Sequence, residues 1–401
     1  MPARPRPDLR ELPVDGHLVL YDPIERVSHL LNETATAIWI AWRDAPDDPG
    51  TIAEALAARY GAPVEQVRRD VDAALAGFEE LGLLGDPPSA TFRPPQWGHA
   101  EDAEPEAPRP DAAATTLAGR FAALDHRFEV ATTDPALAAA VHAALAEMAD
   151  DEPGGQQGAD RPRYELVTEG DRVSVLLDGR VLRAAAGPDE AMAFLFWHVH
   201  RQALQRTDRL VRLHASAIRV GDVVVALPAP PESGKSTLVA GLVRRGHRYV
   251  TDEGVAFDPA TFEVTPLPLP ITLDEGSWPL FPEVGQPPST AAGSLAVEPG
   301  RLQPRAQQPG GDDRSPARLG ICVFHRFRPG TATELRRVEP PEALVLLLEN
   351  AFGLDDADDA RFEALIRVAR TVPCWALEHG GLDQAISAVE NVIATLDREP
   401  R

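Results

Sequence analysis

The chain has 401 residues, of which 44% are hydrophobic, and carries 62 acidic against 39 basic side chains for a net charge of −23. That length corresponds to two or three domains, and the composition is that of a globular protein rather than a disordered one. The acidic balance excludes a general nucleic-acid binder, which needs a basic face, and argues against docking on an anionic membrane. No apolar run reaches the roughly 18 residues of a spanning helix, and the opening MPARPRPDLRELP has charge without the apolar stretch of a secretory signal. Cys322 and Cys374 lie far apart without metal-ligand spacing, so two reduced, buried thiols in a cytoplasmic protein are expected.

In chain order, residues 14–85 form the first block. HLVLY (17–21) and VSHLL (27–31) predict strands joined by a turn at Asp22-Pro23. A helix opens at Asn32-Glu33-Thr34 and runs through Trp39, and a second covers about 52–60. A third places Val64, Val67, Val71, Leu75, Phe78 and Leu81 at helical spacing and stops at Gly82. Strands followed by three helices in so short a block predict a winged-helix-like layout. Residues 86–116, rich in Pro, Ala and acid, read as a flexible linker. Polar breaks follow at 150–161 and 283–318, the second, rich in Pro, Gly and Gln, long enough to be either disordered or a mobile functional loop.

Residues 117–398 alternate strand and helix. Strands are expected at 164–167, 173–177, 213–220, 223–227, 249–251, 319–324 and 374–378. Helices are expected at 189–204, 236–245, 341–350, 361–370 and 382–397. The alternation predicts an α/β domain. His198, His200 and His325 lack metal-ligand spacing and read as structural or surface histidines.

The chemistry concentrates after VVVAL (223–227). The loop PAPPESGKST (228–237) leads into the helix LVAGLV (238–243). Strand, loop ending in Gly-Lys-Ser, then helix is the context of a P-loop, in which backbone N–H groups face phosphate oxygens. Lys235 is placed to reach the β- and γ-phosphates and Ser236 to hold Mg²⁺. Lys235 is also the only lysine in the chain, the other 38 basic residues being arginine, as expected where a compact ammonium rather than a planar guanidinium is needed. Two positions depart from the usual pattern: Ala229 stands where the first glycine belongs, and Glu232 stands where glycine is common. His214 lies 21 residues before Lys235, and Asp252 and Glu253 lie 17 and 18 after it. If the carboxyl ends of adjacent strands converge at the phosphates, one carboxylate can bind Mg²⁺ and the other accept a hydroxyl proton.

Leu213-His214-Ala215, Gly234-Lys235-Ser236-Thr237 and Arg245-Gly246-His247-Arg248-Tyr249-Val250-Thr251-Asp252-Glu253 resemble the HPr kinase/phosphorylase fold, and still more its kinase-related relatives. The resemblance spans about 115–398 and is strong from 214 to 253. It implies serine phosphorylation with ATP and Mg²⁺. Gly234, Lys235, Ser236 and Thr237 would bind nucleotide, Ser236, Asp252 and Glu253 the metal, and Asp252, Glu253, His214 and Lys235 would make up the catalytic set. The family often carries two aspartates, so Glu253 leaves open which acid is the base. No copy of the phosphorylase signature is found, so the reverse reaction is not expected. Relatives of this fold form oligomers, which makes a homo-oligomer an expectation.

The first block resembles the PqqD-like family of RiPP recognition elements through Leu18–Asp22, Leu30–Ala35, Ile38-Trp39 and Leu81-Gly82-Leu83-Leu84. That resemblance implies binding of a precursor's leader peptide as an added strand at a sheet edge, packed against the third helix. The surfaces implied are Val27, Ser28, His29 and Leu30 on the strand, and Arg68, Arg69 and Asp70 on the helix. The fold expected is therefore an α/β P-loop kinase domain, HPr-kinase-like, behind a winged-helix-like PqqD domain. Its linker would let the peptide clamp swing over the kinase site and raise the effective concentration of the acceptor. The function expected is phosphorylation of a Ser/Thr-type hydroxyl on a ribosomally made peptide. The alternatives are a catalytically silent leader-binding chaperone, or a kinase for a carrier protein or small molecule whose activity would survive deletion of residues 1–85.

Overall fold

In the computed structural model the described residues are 3–44, 48–87, 115–150, 161–207, 209–273, 275–282, 294–298, 301–304, 316–354 and 358–396. The chain folds as a mixed α/β protein with several sheets. It opens with β1 (Arg10–Val14), β2 (His17–Asp22), β3 (Val27–Leu31), α1 (Glu33–Asp44), α2 (Pro49–Tyr60) and α3 (Val64–Glu80). Next come β4 (Thr116–Ala123), β5 (His126–Thr132), α4 (Pro135–Ala144), β6 (Arg163–Glu169), β7 (Arg172–Leu177), β8 (Arg180–Ala186) and α5 (Pro188–Arg206). They are followed by β9 (Val211–Val220), β10 (Val223–Pro228), α6 (Lys235–Arg244), β11 (Arg248–Thr251), β12 (Gly254–Phe257), β13 (Val264–Thr265) and β14 (Ile271–Thr272). The chain closes with β15 (Ser294–Glu298), β16 (Arg301–Pro304), β17 (Arg318–Phe327), β18 (Glu334–Arg337), α7 (Pro340–Glu349), α8 (Asp359–Thr371), β19 (Cys374–His379) and α9 (Leu382–Leu396).

The contacts divide the chain into two units: Met1–Pro95 with Arg337–Cys374, and Gln96–Arg336 with Trp375–Arg401. This differs from the expected division into 14–85 and 117–398, because α7 and α8 belong with the N-terminal block. The linker expected at 86–116 lies almost wholly outside the described residues.

In the first unit β1, β2 and β3 form an antiparallel sheet in that order. Asp15 and Gly16 both have positive φ (45° and 80°) and form the tight β1–β2 turn. Asp48 caps α2 by accepting from the Gly50 and Thr51 amides, with Pro49 at the first helical position. Side chains alternate along a strand, so Leu18, Leu20 and Leu31 face the layer of α1–α3, where they pack with Trp39, Trp42 and Phe78. Val19 and Tyr21 are also buried, because α7 and α8 cover the other face; the Tyr21 and Phe362 rings lie 5.8 Å apart. A sheet covered on both faces departs from the winged-helix-like layout expected.

The second unit holds a five-stranded sheet, β4-β5-β6-β7-β8, whose core includes Phe121, Phe128 and Tyr164 and residues of α4 and α5. A larger sheet runs β13-β12-β9-β10-β17-β19-β18, with β11 also pairing β9. Helices α6 and α9 pack on it through Leu238, Leu242, Ile386 and Val389. The long loop expected at 283–318 contains β15 and β16; β16 pairs with both β14 and β15 in a small third sheet.

Candidate functional site: a phosphate loop facing two carboxylates

The buried strand β10 delivers its last residue, Pro228, opposite Ala215 of antiparallel β9. His214 therefore lies level with the start of the loop. It sits near the beginning of β9, not at a carboxyl end as the convergence of adjacent strands would have had it. Strands β11 and β12 both pair antiparallel with β9, Thr251 opposite Ala217 and Gly254 opposite His214. They act as one strand interrupted at Asp252-Glu253, which sets Glu253 against His214 and Asp252 against Ser236 and Tyr249.

The loop itself is built for close approach by an anion. Glu232 and Gly234 are left-handed, with φ of 61° and 87°, and α6 starts at Lys235. Glu232 is exposed. Lys235 is buried, and its Nζ donates to the carbonyls of Ala229 (3.0 Å) and Pro230 (2.8 Å). Ser233 Oγ is buried with no hydrogen-bond partner, an orphan hydroxyl in the cradle that a phosphate oxygen would satisfy. Ser236 Oγ donates to Asp252 Oδ2 at 3.4 Å, and Thr237 Oγ1 lies 2.7 Å from Ser277 Oγ.

The two acids have separate surroundings. Asp252 is buried, accepting from Tyr249 Oη at 3.2 Å and the Thr272 amide at 3.4 Å. Burial, together with the charge of Glu253, lifts its carboxyl to about 7. Glu253 is half-buried and its Oε1 lies 3.6 Å from His214 Nε2. Burial pulls it upward, but His214, His200 and Lys235 outweigh that and hold it below the usual carboxylate range. Burial pushes the Lys235 ammonium down to about 8 against the pull of both acids, and keeps His214 below its usual value.

Sequence reading missed His200. The sequence reads this α5 residue as structural or surface, and its Nε2 is buried and without a partner. A Cβ placed on Gly254 would come within 3.3 Å of it, so it stands directly behind the His214–Gly254 pairing. Its neighbour His198 is a core residue, with Nδ1 2.8 Å from Tyr164 Oη. No periodic signal separates the two, because α5 is buried over much of its circumference. Among the described residues no group of three or more His, Cys, Asp or Glu is arranged to hold a metal. Cys322 and Cys374 are buried and in no disulfide, and among the described residues no helix is long and apolar enough to cross a membrane.

In the first unit the expected peptide surface is an edge. Strand β3 ends its sheet, and Val27 and Leu30 are 45% and 43% exposed there. Ser28 Oγ is buried without a partner, and burial lowers the His29 imidazole. Arg68 and Arg69 are exposed on α3, Arg69 bonding Glu65 and Gln66 of its own helix.

Residues 17–84 match the family described as Coenzyme PQQ synthesis protein D (PqqD), which agrees with the resemblance carried by Leu18–Asp22 and Leu81–Leu84. No curated protein matches the chain. Among solved structures, the chain is similar to the HPr(Ser) kinase/phosphatase from Coxiella burnetii, with 12% identity, 46% of this chain and 98% of that chain covered, and a TM-score of 0.21.

Proposed function

We propose that this protein is an ATP-dependent kinase that phosphorylates a Ser/Thr-type hydroxyl on a ribosomally made precursor peptide, whose leader binds the PqqD domain. The observation that carries the reading is the contact between Ser236 and buried Asp252 at the foot of the Gly234-Lys235 loop, with Glu253 and His214 alongside. Two groups that titrate apart at one site suit two tasks. Ser236 and Asp252 would hold Mg²⁺, which needs few protein ligands because phosphate oxygens and water complete its shell. When bound, the ion neutralises charge on the phosphates. Glu253, kept ionised, takes the acceptor's proton as the hydroxyl oxygen bonds to the γ-phosphorus and the bridging oxygen leaves with ADP. His214 restrains that carboxylate, and Lys235 follows the charge on the phosphates. The N-terminal match supports a peptide as the acceptor, delivered by its leader along β3.

A silent leader-binding scaffold is the second reading, favoured by Glu232, which puts a carboxylate in the loop at a left-handed position. Calorimetry of Mg-ATP separates the two. Wild type binds and Lys235→Ala does not if the loop is a nucleotide site; if neither binds, the kinase reading fails.

A further inference from the structure

We propose that Phe327 is the shelf on which the nucleobase stacks; this rests on the P-loop reading. The acids approach β10 from the β9 side. The γ-phosphate must face them, so the rest of a nucleotide leads away, over the carboxyl ends of β17 and β19 on the other flank of β10. Strand β17 runs parallel to β10, and Phe327 is its last residue. Phe327 is 44% exposed, although the strand is continuously buried from Ile321 to His325. Its Cβ lies 3.9 Å from the position a Cβ on Gly234 would take, so the ring is rooted against the phosphate loop.

The shelf is backed on one side. The His379 ring, at the end of β19, is 5.5 Å from the Phe327 ring, and the His325 ring is 5.9 Å from that of His379. His379 Nδ1 lies 3.2 Å from the Gly381 carbonyl and so carries the proton. Burial of both imidazoles keeps them uncharged at neutral pH. An exposed aromatic face over a neutral, buried backing, next to a phosphate cradle, suits a flat heteroaromatic base. Its neighbours in sequence, Arg326 and Arg328, are exposed, and Arg328 pairs with Glu378 at 3.6 Å. Stacking is indifferent to the edge of the base, so the shelf would take adenine and guanine alike.

The test compares Mg-ATP, Mg-GTP and Mg-tripolyphosphate binding by calorimetry in the full chain, for wild type, Phe327→Ala and Phe327→Tyr. By the worth of one base–aromatic stack, Phe327→Ala should weaken both nucleotides about tenfold or more. Tripolyphosphate binding should stay unchanged, and Phe327→Tyr should restore nucleotide binding. Equal weakening of tripolyphosphate, or no weakening of the nucleotides, overturns the shelf while wild-type binding keeps the P-loop reading intact. If wild type binds neither nucleotide nor tripolyphosphate, the P-loop reading fails and the shelf falls with it.

Discussion

Removing the carboxylate of Asp22 should loosen the sheet that carries the peptide edge. Asp22 and Arg6 are 3% and 5% exposed and joined twice, Nη1 to Oδ2 at 2.7 Å and Nη2 to Oδ1 at 3.1 Å. Asp22 Oδ1 also accepts the amides of Ile24 (2.9 Å) and Glu25 (3.1 Å), which shapes the β2–β3 turn. Breaking a buried pair costs about 3–5 kcal/mol, because the abandoned charge stays buried. In Asp22→Ala, Arg6 keeps Asp8 at 2.6 Å and the Gly82 carbonyl at 3.1 Å, so the low end applies. The two lost turn bonds add about 1 kcal/mol. We expect a total of about 3–4 kcal/mol, which by linkage is a fall of more than a hundredfold in amide protection. Hydrogen exchange read on a peptide covering residues 17–31 of the full chain measures it. Arg6→Met with Asp22→Leu should recover much of the loss, since an apolar pair leaves no buried charge. A loss below about 1 kcal/mol in Asp22→Ala would refute the reasoning. The pH dependence has a definite sign: the folded Asp22 carboxyl is held below its usual value against burial, by the Arg6 bond and the turn amides. Its contribution is therefore full above the unfolded value near 4 and is lost as pH falls through the lower folded value.

Two further outcomes follow from the phosphate site. The Asp252 carboxyl sits at about 7 in the folded chain, above its unfolded value near 4, so the stability linked to its protonation disappears as pH rises across that window. Asp252→Asn should match wild type at or below about pH 4 and unfold at higher temperature than wild type at pH 8, while losing Mg-ATP binding; a lower melting temperature at pH 8 contradicts the burial argument. Glu232→Gly should relieve a left-handed conformation worth about 1 kcal/mol in thermal stability. It should also tighten Mg-ATP binding severalfold by removing an anion, as Glu232→Gln should by charge alone; calorimetry that finds both variants unchanged shows the carboxylate does not reach the phosphates.

The strand–loop–helix of the candidate site was legible because its signals are local: an apolar VVVAL strand, a Gly-Lys-Ser loop and a helix. What escaped was set by partners remote in sequence. His200 is one buried histidine on a helix buried over much of its length, and only the close approach of Gly254 singles it out. The HLVLY segment reads as a strand and is one, but the cover on its second face comes from helices some 320 residues later, which nothing local announces. Strand β4 is hard to read because TLAGRFAA holds alanines and a glycine, which have little strand preference and are fixed here by pairing with β5. The antiparallel pairing of β9 with β10 follows from the two-residue connection at Gly221-Asp222, which is too short for the crossover that parallel neighbours need.

The insertion of α7 and α8 between β18 and β19 bears on how portable the leader clamp is. The backbone passes from one unit to the other three times, not once, so a single tether on which the clamp swings freely does not describe the connection. Grafting residues 1–87 onto another enzyme would leave behind the helices that cover Val19 and Tyr21. Deleting the same residues would strip α7 and α8 of their sheet and bare Phe362, a liability for aggregation. Loss of activity in such a truncation would not speak for leader dependence, and point substitutions on the β3 edge are the cleaner instrument. A recombination event that exchanged the first unit would have to replace two separate stretches of coding sequence together.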